Sequence, residues 1–473
     1  MADVRAVPLA GERVTGTAHR PVRSPFDGTD LAQVPVLGAA EVDRAVVAAR
    51  AALAEPLPAW RRAEILDTAS RLLAERVEGF ARTIAAEAAK PIRTARVEAR
   101  RAVGTFAFAA AEARTLRGDL VPLEAAAGGE GKVGFTLRVP VGVVAAITPF
   151  NFPLNLVAHK LAPAIAAGCP VVLKPASQTP LSAIALAELL LDECGLPPAW
   201  LHVVTGSGAE VGDALVTHPG VALITFTGSA DVGWAIRARA PRKKVGLELG
   251  NNSPVVIHAD GDWRAAAERI AVAGFSHAGQ SCISTQRVLV HRDVAGPFVD
   301  SLVRGVRALV VGDPMDEETD VSALISEADT ERVRSWIDDA VAGGASLAAG
   351  GSVRGGLLEP TVLTGVTPDM KVCREEVFGP VVAVAAYDDF EEALRLADDT
   401  RYGLQAGVFT ADLGRALTAA RRLTFGAVLV NEVPTWRADQ MPYGGVRDSG
   451  NTREGPAWAV REMTETRLVV LQA

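Results

Sequence analysis

Residues 141–155 read VGVVAAITPFNFPLN, and the fold is decided there. Val141 to Thr148 is an uncharged, β-branched run that suits a strand buried on both faces, and a helix is expected from near Pro153 to Gly168, where a glycine can close it. The alternation continues outward: VVLK at 171–174 precedes a helix to Gly195, and ALITF at 222–226 precedes one from Ser229. Short strands alternating with helices form βαβ units, which imply a parallel sheet covered on both faces.

After Leu249 the pattern resumes with PVVIH at 254–258, a helix from Asp262 to His277, the strand QRVLVH at 286–291, and further units to about Gly426. The break at 248–252 marks a boundary between two α/β domains, whose cleft is a natural place for a ligand. The length of 473 residues supports the division, since single cores stop growing at roughly 250–300 residues. Upstream, Glu41 to Ala89 shows helical spacing and is stopped by Pro91.

Two segments fit neither domain: Asp119 to Val139, with a glycine-rich turn at 128–131, and TETRLVVLQA at 464–473. Exposed ribbons of this kind are adhesive edges, so pairing with another subunit is expected, with an internal hairpin as the alternative.

Hydrophobic residues make up 49% and charged residues 22%, so the whole chain should fold. The net charge of −8 speaks against a broad basic surface for nucleic acid or anionic lipid. Residues 1–20 lack a signal-peptide core and no apolar run reaches the roughly 20 residues of a membrane span, so no membrane partner and a cytoplasmic location are expected. Four cysteines without CxxC spacing and seven scattered histidines suggest neither a disulfide framework, nor a zinc cluster, nor a catalytic metal.

Three residues could carry chemistry. Cys282, in HAGQSCISTQ, falls between a helix and a strand among small polar residues, where a thiolate could attack a carbonyl or a buried thiol could simply sit. Glu248, ending the strand of KKVGLELGNN, is either a surface charge or a base facing a cleft. Asn151 could donate to an oxyanion or cap a helix.

TPFNFP, KPAS, FTGSADVG, LELGNN, GQSC, EEVFGP and MPYGGVRDSG, in this order, resemble the aldehyde dehydrogenase superfamily, and the resemblance runs from Ser24 to Arg467. It implies a Rossmann-like NAD(P)-binding domain (1–118 and 140–247), an α/β catalytic domain (248–445), and a small β oligomerisation arm from 119–139 and 446–473, in a homodimer or homotetramer. It implies that Cys282 forms a thiohemiacetal and then a thioester with a small aldehyde, with the Asn151 amide and the Cys282 N–H holding the oxyanion. Glu248 would activate the hydrolytic water, and Lys160 would belong to a proton relay.

For NAD(P)+, the resemblance implies a site from Ile147, Thr148, Pro149 and Phe150, with Lys174 and Ser177 near the adenosine ribose. Phe226, Gly228, Ser229 and Val232 would lie at a helix start suited to a pyrophosphate, and Leu249, Gly250, Glu376 and Phe378 around the nicotinamide. Gly208 and Gly212 of TGSGAEVG form a weaker glycine-rich signal. Ser177 stands where NAD-preferring relatives often carry Glu, so both cofactors stay open. Phe150 replaces a frequent Trp, and Asn251 replaces a Gly, with Asn expected to substitute where φ is positive.

GQSCIS, AHKLAP and WRADQMPYGG resemble the branch of lactaldehyde, non-phosphorylating glyceraldehyde-3-phosphate and phosphonoacetaldehyde dehydrogenases. The implied substrate residues are Arg101, Asn155, His159, Ser281, Ile283 and Arg437, and guanidinium forks favour an anionic aldehyde. Arg101 could instead be a solvated helix charge, His159 a satisfied histidine, and Arg437 a partner of Asp439. The alternatives are a neutral hydroxyaldehyde, an acyl-coenzyme-A-forming semialdehyde dehydrogenase, which generally lacks the Glu248 base, and an idle structural relative.

Overall fold

Val143–Ile147 and the helix Asn155–Ala167 are buried on every face, which is why their sequences are apolar throughout rather than alternating. The computed structural model describes residues 4–472. The first strand is the centre of a five-stranded sheet, in the order Lys244–Glu248, Val221–Thr227, Val143–Ile147, Val171–Lys174 and Leu201–Val203. All neighbours are parallel. Gly168 closes the central helix in the left-handed conformation at φ 86°.

A second sheet of seven strands runs Ser346–Ala349, Thr361–Thr364, Val381–Tyr387, Arg287–His291, Pro254–Ile257, Gln405–Phe409 and Ala427–Val430. Only the first of these is antiparallel to its neighbour. Each sheet organises its own apolar core. Ligands of open parallel sheets gather beyond the carboxyl ends of the strands. Thr148, Lys174, Gly228 and Leu249 all lie at or just past such ends.

Several boundaries differ from expectation. The helical stretch 41–89 is three helices, Ala39–Ala52, Ala59–Glu75 and Val77–Ala88, and Pro91 heads the next helix, Ile92–Thr115. The helix expected to reach Gly195 stops at Asp192. The one expected to reach His277 stops at Ala273, and Ser276–Gly279 forms a separate turn with His277 and Ala278 at φ 50° and 53°. Left-handed backbone is costly for such residues, and here it redirects the chain just before Cys282.

The two ribbons also differ from expectation, because they find each other. Thr464–Gln472 pairs antiparallel with Lys132–Pro140 along its full length, with Leu120–Val121 on the far side. The ladder is satisfied inside one chain, so it does not require a partner. The outer flank of Thr464–Gln472 has no neighbouring strand among the described residues and leaves Leu468, Val470 and Leu471 exposed. Of 446–472, only these last residues join the ribbon; the helix Pro456–Glu462 packs on Asn155–Ala167, and Glu454 is buried behind the cleft.

Candidate active site

A cavity of about 350 Å³ opens between the two sheets. Pro149, Phe150, Asn151 and Leu156 line it from the first domain, and Cys282, Arg332, Glu376 and Phe378 from the second. Cys282 follows the strained turn, and its Sγ is 2.8 Å from the Tyr443 hydroxyl. Burial pushes the thiol up to about 12, against which the Tyr443 hydrogen bond and the Arg437 charge both act. Asn151 Nδ2 donates to the Gln280 carbonyl at 2.9 Å, which brings the amide to the cysteine loop. An amide nitrogen carries two hydrogens, so one remains for a ligand.

The Asn151 loop is anchored from behind by a buried ion pair. Lys90 Nζ contacts Glu98 and donates to the Asn151 backbone carbonyl at 2.5 Å, while Glu98 accepts from the N–H groups of Leu154 and Asn155 at 2.9 and 3.1 Å. The helix N-terminus carrying Asn155 therefore receives a negative partner where its dipole favours one.

Glu248 ends its strand fully enclosed, and neither carboxyl oxygen has a hydrogen-bond partner among the described residues. A Cβ on Gly444 would come within 2.1 Å of the Thr452 carbonyl oxygen and 2.6 Å of Glu248 Oε1, so close packing requires glycine there. Burial first, and then the neighbouring Glu454, push the Glu248 carboxyl well above the usual range. Burial would also raise Glu454, but Arg437 and Lys160 overcome it and hold Glu454 at about 2. Arg437 donates to Glu454 at 2.9 Å, Lys160 Nζ lies 3.6 Å away, and Lys160 also donates to Thr225 Oγ1 at 3.0 Å. Two adjacent carboxyls thus titrate apart, Glu248 pushed up and Glu454 held down.

Four of the expected substrate residues, Arg101, Asn155, His159 and Arg437, form a connected cluster, while Ser281 and Ile283 lie with the Cys282 loop. Arg101 donates to Asp439 through Nε and a terminal nitrogen at 3.2 and 2.8 Å. Asn155 Nδ2 lies 3.1 Å and His159 Nε2 3.0 Å from the same carboxylate. Arg101 is therefore not a solvated helix charge, and Arg437 pairs with Glu454 rather than Asp439. Burial and then the Arg437 charge lower the His159 pKa. Ile283 packs with Tyr443, Leu404 and Cys282, and the Ser281 hydroxyl accepts from Ile283 N–H at 3.4 Å.

The other side of the cavity fits a dinucleotide. Phe150 and Phe378 meet edge to face at 5.8 Å, with Phe378 at φ 48°. The helix Ala230–Arg239 begins at Ser229 without a side-chain cap, which leaves its first N–H groups for an anion. Glu376 accepts from the Asn251 N–H at 3.0 Å, is raised to about 7 by burial, and would be struck by a Cβ on Gly250 at 2.2 Å. Thr227, Gly228 and Leu249 complete this wall, with Ile147 and Thr148 at the end of the central strand, whereas Phe226 is buried in the core of the first domain and Val232 is half exposed on the outer helix face.

Farther along, Ser177 donates to the Gly206 carbonyl at 3.0 Å and shares a recess with Arg20. Lys174 is lowered to about 8 by burial and by Arg20, and its chain runs beside Gly212, in the turn Gly208–Gly212.

Asn251 corrects one expectation. It does not lie in the positive-φ region, and it serves by its side chain, donating from Nδ2 to Ser253 Oγ and to the Gln405 carbonyl at 2.8 and 3.1 Å. Tyr443, Glu454 and the Lys90–Glu98 pair are not singled out by the sequence, and Asp439, named there only as a partner for Arg437, holds Arg101 instead. Tyr443 lies in the quoted MPYGG stretch, but only the fold shows that its hydroxyl reaches sulfur.

The model of the Aldehyde dehydrogenase family matches residues 14–469, and the chain belongs to that family. It is 48% identical to the 3-sulfolactaldehyde dehydrogenase of Priestia aryabhattai over 461 residues, covering 98% of this chain and 96% of that one. Its fold matches the crystal structure of aldehyde dehydrogenase 21 from Physcomitrella patens in complex with the reaction product succinate, with a TM-score of 0.96, 38% identity, and coverage of 100% and 99%. It also matches glyceraldehyde-3-phosphate dehydrogenase GapN from Methanocaldococcus jannaschii complexed with NADP, with a TM-score of 0.93, 37% identity, and coverage of 97% and 100%. The chain is an NAD(P)+-dependent aldehyde dehydrogenase. Among the described residues, no helix is long and apolar enough to cross a membrane.

Proposed function

We propose that this enzyme oxidises a short hydroxyaldehyde bearing an anionic group, of which the 3-sulfolactaldehyde in the name of its Priestia relative is one model, to the free carboxylic acid. The observation that carries the chemistry is the convergence of Cys282 and Asn151 on one cavity with the unpartnered Glu248 carboxyl behind them.

In this reading Cys282 Sγ bonds to the aldehyde carbon as the carbonyl electrons move to oxygen, where the free Asn151 N–H and the Cys282 backbone N–H stabilise the charge. Phe378, Glu376 and Thr227 would hold the nicotinamide of NAD(P)+, which when bound would accept the hydride that leaves this carbon. The C=O re-forms and leaves a thioester on Cys282. Glu248 then takes a proton from a water that attacks the acyl carbon, the C–S bond breaks, and the acid departs. Lys160 and Glu454, beside Glu248, provide the route by which that proton leaves. A carboxyl able to act as this base supports water over coenzyme A as acceptor.

The preference for an anion rests on charge. Arg101 and Arg437 are cationic, Asp439 and Glu454 are held ionised beside them, and burial pushes both Glu248 and Lys160 toward their neutral forms. The anion preference therefore rests on the two guanidinium groups, whose remaining N–H donors suit sulfonate, phosphate or carboxylate oxygens. The exposed edge of Thr464–Gln472 supports a homodimer or homotetramer.

Cys282→Ser should abolish dehydrogenase activity on a panel of sulfonate-, phosphate- and carboxylate-bearing aldehydes while cofactor binding, followed by fluorescence quenching, stays near wild type. Retained turnover would overturn the assignment of the nucleophile, and a panel on which neutral aldehydes win would overturn the substrate class.

A further inference from the structure

Tyr443 is one of three tyrosines in the chain, and its position is tightly fixed. It is buried at 3% exposure. Its backbone exchanges hydrogen bonds with Glu454, N–H to carbonyl at 3.1 Å and carbonyl from N–H at 2.6 Å. The Arg437 guanidinium carbon lies 3.6 Å from the ring centre, and Arg437 is itself held by Glu454. The one hydrogen bond of the hydroxyl among the described residues is the 2.8 Å contact to Cys282 Sγ.

We propose that Tyr443 is a catalytic residue that donates its phenolic hydrogen bond to the Cys282 thiolate and thereby raises the fraction of sulfur ready to attack. Phenylalanine would fill nearly the same space without the oxygen, so the hydroxyl has a role that packing does not account for. A neutral thiol is a weak partner, whereas a thiolate accepts a charge-assisted bond, so the contact favours ionisation. Arg437 contributes twice: its charge acts on sulfur directly, and, stacked on the ring, it makes the phenol a stronger donor. The sulfur lies in an enclosed place that works against ionisation, which increases what each such group is worth. When sulfur bonds to carbon its negative charge is lost and the phenol is released; when the C–S bond breaks the phenol again stabilises the leaving thiolate. The same contact therefore assists both halves of the cycle.

This inference rests on Cys282 being the nucleophile, and its test is independent of turnover. The rate of iodoacetamide alkylation at the Cys282 peptide, read by mass spectrometry across pH, reports the ionisation of that sulfur in the intact protein, whatever the aldehyde is. In Tyr443→Phe the midpoint should rise by about one pH unit, and alkylation below both midpoints should slow about tenfold, since only the thiolate reacts. The melting temperature and cofactor binding should stay near wild type. A midpoint that is unchanged or lower would overturn the proposal.

A second measurement avoids any loss of packing. Replacing all tyrosines by 3-fluorotyrosine makes the phenol more acidic and a stronger donor, and should lower the midpoint. Tyr387 donates to the Ile257 carbonyl and Tyr402 contacts Arg401, so neither touches the sulfur. An unmoved midpoint in the fluorinated protein would equally reject the role. If instead Cys282→Ser remains active while Tyr443→Phe shifts the midpoint, the reading of the nucleophile fails and the Tyr443 contact stands.

Discussion

Asp439 holds Arg101 by two N–H···O bonds, at 3.2 and 2.8 Å, and so joins the helix Ile92–Thr115 of one domain to a loop of the other. The guanidinium is thereby oriented beside Asn155 and His159, which share the same carboxylate. With Nε and one terminal N–H given to Asp439, three of the five guanidinium N–H groups remain for an oxyanion-bearing substrate, and a lysine could not make both kinds of contact from one fixed plane.

Arg101→Ala should raise KM for a sulfonate or phosphate aldehyde by about 10–100-fold, on the order of 1.4–2.8 kcal/mol, and should raise KM for a neutral aldehyde of equal length far less. Steady-state kinetics with matched substrates decide this, and equal effects would show that Arg101 only braces Asp439.

The raised Glu248 carboxyl predicts the pH profile. As a base it must be ionised, so hydrolysis of the thioester should fail as pH falls through its folded pKa, which lies well above 4.5. Replacing Glu454 by Gln removes the repelling charge and leaves Arg437 and Lys160 to favour ionised Glu248. The acid limb of kcat should therefore move to lower pH, and an upward move would contradict the carboxyl pair. For stability the sign is opposite to that of a paired carboxylate: because the folded pKa is raised, the contribution of Glu248 is present at low pH and declines as pH rises through that value.

Ser177 and Arg20 line one recess, with Lys174 next to it, and in our reading this recess sets the choice of cofactor, since among the described residues no carboxylate lines it. Ser177→Glu should weaken NADP+ about tenfold or more relative to NAD+, and Arg20→Ala should weaken NADP+ selectively. Calorimetric Kd values for both cofactors test each variant.

The Lys90–Glu98 pair positions Asn151 through its backbone and so should affect kcat more than KM. Lys90→Met leaves Glu98 buried without its cation and should cost about 3–5 kcal/mol of stability. The double change Lys90→Met with Glu98→Gln should recover part of that stability but not the rate, because the Asn151 carbonyl still lacks its donor. Denaturant melts alongside single-turnover rates would separate the two effects.

The strands around Asn151 and Glu248 were legible because buried parallel strands are written as uninterrupted apolar runs, and the loops after them carry the distinctive Asn, Glu and Cys. The helix break at 53–58 is marked by Pro56 and Pro58, a signal that the helical reading of 41–89 passes over, whereas the break at Arg76 has no such marker and helix-forming residues continue across it. Nor were the charge partners. Arg101 and Asp439 lie 338 residues apart, and nothing local to Asp439 or Glu454 distinguishes a carboxylate that will be enclosed from one that will be solvated. Pairing over such distances is a property of the assembled fold. The ribbon was read as needing another subunit because its internal partner, Lys132–Pro140, lies so far from Thr464–Gln472 in sequence.

The helix that begins at Ser229 without a side-chain cap has a consequence for the lifetime of the protein. Donors left open at that end are a debit in the empty enzyme that a dinucleotide cancels, so the cofactor acts as part of the folded structure as well as a reagent. At a hundred times its Kd a ligand adds about 2.7 kcal/mol to stability, enough to change the unfolded population by roughly two orders of magnitude. A cell that depletes its nicotinamide pool would then lose more than flux through this step: the enzyme itself would become more exposed to proteolysis, and its abundance would follow the supply of the molecule it reduces.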